Sequence, residues 1–170
     1  MAVNYTVIFQ VRQWFGDKAA SDGHETIFGD WQTAPFVGVS KDYNFECPHI
    51  DRTQEAVLQF QALGVDNWSG NLLQINGQDI FGGLTRGPMT GDEYIGINGK
   101  PFALWTTSSL IVQKNILSTK NTLHIEADVS PWTGAHDNFI VDNVVLFYKT
   151  RDSLAPDSSG QVVTESRAET

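Results

Sequence analysis

The sequence predicts an all-β protein: one antiparallel β-sandwich of the jelly-roll type. Three observations predict it. Apolar and polar residues alternate over several short runs. Gly, Asn, Asp and Pro punctuate the chain between those runs. No long stretch carries a convincing helical period, so eight to ten short strands pack as a sandwich or barrel.

The elements follow in chain order. Tyr5, Val7, Phe9 and Val11 alternate with Thr6, Gln10 and Arg12, which predicts a half-buried strand. Ile27-Phe28 and Phe36 to Val39 are short apolar runs between turn residues, and Tyr43 to Cys47 is an extended piece stopped by Pro48. Glu55 to Val65 has two readings. Its residues are good helix formers behind a capping Asp51, and Ala56, Phe60 and Leu63 are spaced for one helical face. As a strand, Ala56, Leu58, Phe60 and Ala62 share one side, and the all-β surroundings favour that reading.

Asp66 to Asn71 is predicted as a loop and Leu72 to Ile75 as a strand. Asn76-Gly77 follows as a tight hairpin turn, since both residues tolerate positive φ. Gln78 to Phe81 returns. Gly82 to Gly99 is glycine-rich and reads as a mobile or functional loop. Leu123, Ile125 and Ala127 alternate with Thr122, His124, Glu126 and Asp128. Phe139 to Tyr148 is nearly continuously apolar, as a central strand should be.

A chain of 170 residues, 41% hydrophobic and 11% aromatic, is long enough to bury a core as one domain without staples. The reading is a single sandwich domain over 1–150 and a polar, disordered C-terminal tail over 151–170. The formal charge of −9 opposes attraction to nucleic acid and to anionic membranes. No apolar run reaches the length of a transmembrane helix, and no export signal opens the chain. A cytoplasmic protein is the default, with secretion left open. The single cysteine, Cys47, makes no intrachain disulfide and reads as a buried thiol.

Three stretches carry a resemblance. They are Leu72-Leu73-Gln74-Ile75-Asn76-Gly77, Asn121-Thr122-Leu123-His124-Ile125, and Phe139-Ile140-Val141-Asp142-Asn143-Val144-Val145-Leu146. Together they resemble the galactose-binding-like jelly roll, the fold of many carbohydrate-binding modules and glycosidase accessory domains, over roughly residues 55–149. The fold hosts sugar binding, protein binding and purely structural roles. The resemblance also implies a structural calcium ion between a final-strand carboxylate, here Asp142, and an N-terminal loop, where Asp17, Asp22 and Asp30 are the acids available. No other cofactor is expected.

Sugar sites stack an exposed aromatic ring on a pyranose and bond its hydroxyls with polar side chains. Of the five tryptophans, Trp68 and Trp132 lie in polar loops, the first beside Asn71 and the second near His136 and Asp137. Trp68, Asn71, Trp132, His136 and Asp137 are therefore the candidate ligand-binding residues. The competing reading is that these rings pack into the core, as most tryptophans do. Trp14 and Trp105 fit that description better.

His24, His49, His124 and His136 have no metal-ligand spacing. His124 faces out beside Glu126, within reach of an acid on a neighbouring strand. Asp92-Glu93, Glu126-Asp128 and Asp137 are candidate carboxylate pairs for glycoside hydrolysis, but solvated surface charge explains them as well. No phosphate loop, nucleophile elbow or catalytic residue is assigned.

The first functional reading is a non-catalytic module recognising a carbohydrate through loop aromatics. The alternative is a structural or assembly protein that pairs with copies of itself or with another protein. The second alternative is an enzyme whose site is built from scattered loop residues.

Overall fold

The computed structural model describes residues 2–17, 34–65, 69–84 and 105–151. These form an all-β sandwich. Its strands are β1 (Ala2–Phe9), β2 (Gln13–Phe15), β3 (Phe36–Gly38), β4 (Ser40–Glu46), β5 (Ala56–Leu63), β6 (Leu72–Ile75), β7 (Gln78–Asp79), β8 (Thr106–Val112), β9 (Lys120–Glu126) and β10 (Phe139–Thr150). One sheet runs β3-β2-β10-β5-β8, with β1 also paired to β10; the other runs β4-β9-β6-β7. Every pairing is antiparallel except the short β2–β3 contact.

The core lies between the sheets. Phe15, Leu58, Phe60, Ile75, Leu123, Ile125, Phe139 and Leu146 fill it, each almost wholly shielded from solvent. Burying a side chain of that size contributes about 1.5–3 kcal/mol. That magnitude decides the ambiguous segment after Glu55. Helix propensity separates ordinary residues by less than about 0.7 kcal/mol each. As β5, the segment instead buries Ala56, Leu58, Phe60 and Ala62 along one face. Its backbone pairs with β10 on one edge and β8 on the other. The strand reading therefore holds.

β10 is central, as its apolar run predicts. It changes partners along its length. Phe139 to Val141 pairs with β2, and Val144 to Thr150 pairs with β1. Between them, opposite β5, the register shifts between Asp142 and Val145. Asn143 sits in that bulge at φ 51°, a conformation Asn tolerates better than most residues. Before the bulge, Ile140 packs outside the sheet with Trp14 and Leu63, against half-buried Trp105. Beyond it, Val145 and Phe147 face a more open surface.

The N-terminal strand differs from its predicted half-buried form. Tyr5 is 62% exposed, and Val11 lies beyond the strand and is equally exposed. The sheet turns Tyr5 and Val7 outward, opposite Phe147 and Val145. A register shift between Val7 and Phe9 then rotates the chain, and Ile8 and Phe9 pack on the core. Alternation identified a strand but could not say which side faces inward.

Asn76 and Gly77 adopt φ 54° and 73° and close the β6–β7 hairpin as expected. Cys47 follows β4 and is fully buried; desolvation pushes its thiol up to about 12. Strand β8 was not marked by periodicity, because Thr106 to Ser109 carry no apolar residue. Ile27-Phe28, most of Gly82 to Gly99 and the tail from Asp152 lie outside the described residues.

Candidate functional site

The loop end of the sandwich is built on a buried polar knot. Asn71, just before β6, donates from Nδ2 to Asp137 Oδ2 over 2.5 Å. Its Oδ1 accepts from the Asp128 amide at 2.8 Å. Asp128 Oδ2 accepts from the Gly70 amide at 2.8 Å, and the Asp137 amide donates back to the Asp128 carbonyl at 2.9 Å. Asn71 and Asp137 are 5% and 1% exposed. A buried amide and carboxylate are stable only when bonded in this way.

The knot carries the 128–138 loop. Ser130 fastens its tip, with Oγ accepting from the amides of Trp132 and Thr133 and the Gly134 amide donating to the Ser130 carbonyl. Trp132 stands on that tip, 75% exposed. Its ring is presented to solvent on a backbone held from below. Pro131 and Thr133 flank it and are exposed too.

His136 is held from another direction. Its amide donates to Asp17 Oδ2 at 2.8 Å, and its Nδ1 lies 3.1 Å from Asp17 Oδ1. The His136 amide holds the Asp17 carboxyl below its ordinary value of 3.8. Burial opposes this less strongly than the amide lowers it, and the imidazole adds to the lowering. Gly16 makes the approach feasible. It adopts φ 111°, and a Cβ there would sit 2.3 Å from the Asp137 carbonyl oxygen.

The structure thus gathers Asn71, Trp132, His136 and Asp137 at one end of the molecule. It gives them different positions: Trp132 outward, His136 half-buried, Asn71 and Asp137 inside. Trp68 lies outside the described residues, as does Trp31. Trp14 is buried and Trp105 half-buried. Asp17 and Asp128 contact these residues; the sequence offered the first only as a calcium ligand and the second only in a carboxylate pair. No local signal ties either to them, since both contacts close only in three dimensions.

The outer face of the second sheet carries another polar group. His124 on β9 lies 2.6 Å from Asp42 Oδ1 on β4 through Nδ1, and 3.2 Å from Glu126 Oε2 through Nε2. Burial alone would lower its pKa. The hydrogen bonds and charges of Asp42 and Glu126 outweigh burial and raise it. A cavity of about 340 Å³ opens at the opposite end of the β4–β9 pair from the Trp132 loop; Asn44, Glu46, Lys120 and Thr122 are among its lining residues.

The described residues do not assemble the implied calcium set. Asp142 Oδ2 lies 3.4 Å from Arg12 Nε, and its Oδ1 accepts from the Asn143 amide. Asp17 is engaged by His136, and Asp22 and Asp30 lie outside the described residues. Among the described residues, no group of three or more His, Cys, Asp or Glu is arranged to hold a metal. No helix among them is long and apolar enough to cross a membrane.

No protein-family model matches the chain, and no curated protein matches it. Among solved structures, it aligns with crystal structures of BuGH86, a glycoside hydrolase family 86 protein, as wild type and as a variant, both in complex with neoagarooctaose. The TM-score is 0.35 and the identity 18%, covering 64% of this chain and 16% of theirs. The chain therefore spans about a sixth of the length of these proteins, and the oligosaccharide is a ligand of theirs.

Proposed function

We propose that this chain is a non-catalytic binding module that takes a carbohydrate at its loop end, with Trp132 as the stacking platform. The observation that carries the reading is the pairing of an exposed indole with a rigid base. At 75% exposure, most of the Trp132 surface is open to a partner. Its loop is nonetheless fixed by Ser130 and by the Asn71–Asp137–Asp128 knot. A pre-positioned ring loses little conformational entropy when a flat apolar partner lands on it. The apolar face of a pyranose is such a partner.

His136 supplies a polar group beside the platform. Asp17 engages Nδ1, so Nε2 is the nitrogen to offer a sugar hydroxyl. Asn71 and Asp137 are buried and act as positioning residues that hold the loop. Trp68, which precedes Ser69 to Asn71, stays in the proposal as a second aromatic.

The test is titration of the protein with soluble oligosaccharides, read by tryptophan emission and calorimetry, beside a Trp132→Ala variant. Losing a central aromatic anchor costs about 2 kcal/mol, so affinity should fall roughly 10- to 30-fold. The unfolding midpoint should stay unchanged. A wild-type protein that binds no member of a broad glycan array sinks the reading. So does a Trp132→Ala variant that binds as tightly as the wild type.

A further inference from the structure

Among the described residues, strand β8 ends the larger sheet, opposite β3. It pairs with β5 over seven consecutive residues, Thr106 to Val112, without a register shift. Such an edge offers its outer backbone groups as a template for another strand. Proteins usually protect their edges with charge, proline, a bulge or shortness. The other strand edges here show these devices. β3 has three residues and β7 has two. β4 carries Lys41, Asp42 and Glu46, and β1 bears a register shift. β8 has none of them: Thr106-Thr107-Ser108-Ser109-Leu110-Ile111-Val112 contains no charge, glycine or proline.

We propose that this edge pairs antiparallel with β8 of a second copy, about a twofold axis near Ser109, joining two sheets into one. Two features select a second copy over a foreign strand. The first is electrostatic. Each chain carries a formal charge of −9, so copies repel one another on average and a surface without acid favours their contact. The outward residues of β8 are Thr107, Ser109 and Ile111, and the next strand presents Val57, Gln59 and Gln61. Among the described residues, the neutral zone is therefore two strands deep on each side of the axis.

The second feature is self-complementarity, which a twofold interface requires. With Ser109 opposite itself, Thr107 faces Ile111 and Thr106 faces Val112. Both are pairs of β-branched side chains, which pack well across strands. Ile111 is 51% exposed and lies in line with Val57, Phe147 and Tyr5. Pairing covers the end of that apolar row. This inference is independent of the carbohydrate reading.

Two measurements test it on the full chain. Sedimentation should show a dimer for the wild type. Thr107→Lys, at an exposed position, should raise the dimer dissociation constant by about tenfold or more with the unfolding midpoint unchanged. Ser109→Cys should crosslink to itself under mild oxidation much faster than Gln78→Cys on the exposed β7 hairpin. The native Cys47 is fully buried and stays silent. A wild type that remains monomeric at high concentration overturns the proposal. So does a dimer that Thr107→Lys leaves intact, or one in which Ser109→Cys crosslinks no faster than the control. A monomer that recruits a strand from another protein would likewise exclude the second copy as occupant.

Discussion

Asn71 and Asp137 lie 66 residues apart in sequence and 2.5 Å apart at their side-chain atoms. The contact fastens the loop that carries Trp132 to the start of β6. It converts a polar loop tip into a fixed platform, and the proposed function depends on that conversion. Buried bonds of this kind contribute modestly when made and are expensive to break, because the surviving partner is stranded.

Asn71→Ala should therefore destabilise the fold by about 1–3 kcal/mol, since Asp137 Oδ2 and the Asp128 amide both lose a buried partner. Urea unfolding followed by near-ultraviolet dichroism would measure it. Asn71→Asp should cost more at neutral pH, because it sets a carboxylate against Asp137. A variant as stable as the wild type would remove the knot from the account.

Gly16→Ala should be more damaging than its small volume implies. The φ of 111° is strained for any residue with a Cβ, and the added atom would collide with the Asp137 carbonyl oxygen. The left-handed backbone alone costs about 1–2 kcal/mol, and relieving the clash must move Asp17 away from His136. A lowered melting temperature is expected, with faster amide exchange over residues 134–138.

The environment of His124 makes stability depend on pH. Its folded pKa is raised above 6.5, despite burial, by Asp42 and Glu126. A raised value means that the folded state holds the proton more tightly. The stabilisation is complete below pH 6.5 and is lost as pH rises through the folded value. The urea midpoint should thus fall as pH rises above 6.5. His124→Gln should flatten that slope, and an unchanged slope would dismiss the Asp42–His124–Glu126 group as its source.

Asn143 should accept glycine and refuse β-branched residues. Its φ of 51° suits Gly, and its side-chain bond to Gln61 is exposed and worth little. Asn143→Gly should be near neutral, while Asn143→Val should cost about 1–2 kcal/mol. Equal stability of the two would mean that the bulge relaxes freely.

Much of the fold was legible in local pattern. Alternation marked β9, short extended runs marked β4 and β6, and continuous apolarity marked β10 as central. Asn76-Gly77 marked a hairpin from two residues. His124 was placed outward beside Glu126, within reach of a neighbouring acid, and Asp42 is that acid. The polar neighbours of Trp132 left exposure and packing both open, and the structure exposes it. These features depend on residues close in sequence, and side-chain period and turn chemistry are local properties.

What tertiary structure decided depends on partners distant in the chain. Tyr5 and Val7 face outward because β1 meets β10 in a particular register. Asp17 and Asp128 join the loop end through residues 119 and 58 positions away. Thr106 to Ser109 form strand because β5 needs a partner for its second edge, although their own side chains give no such period. The sequence by itself determined most of the segments that extend, β8 excepted, and the Asn76-Gly77 turn, because those preferences are written into each residue's own φ, ψ and polarity. Which face is buried and which carboxylate meets which amide depended on packing two sheets together, where one buried contact outweighs many local preferences.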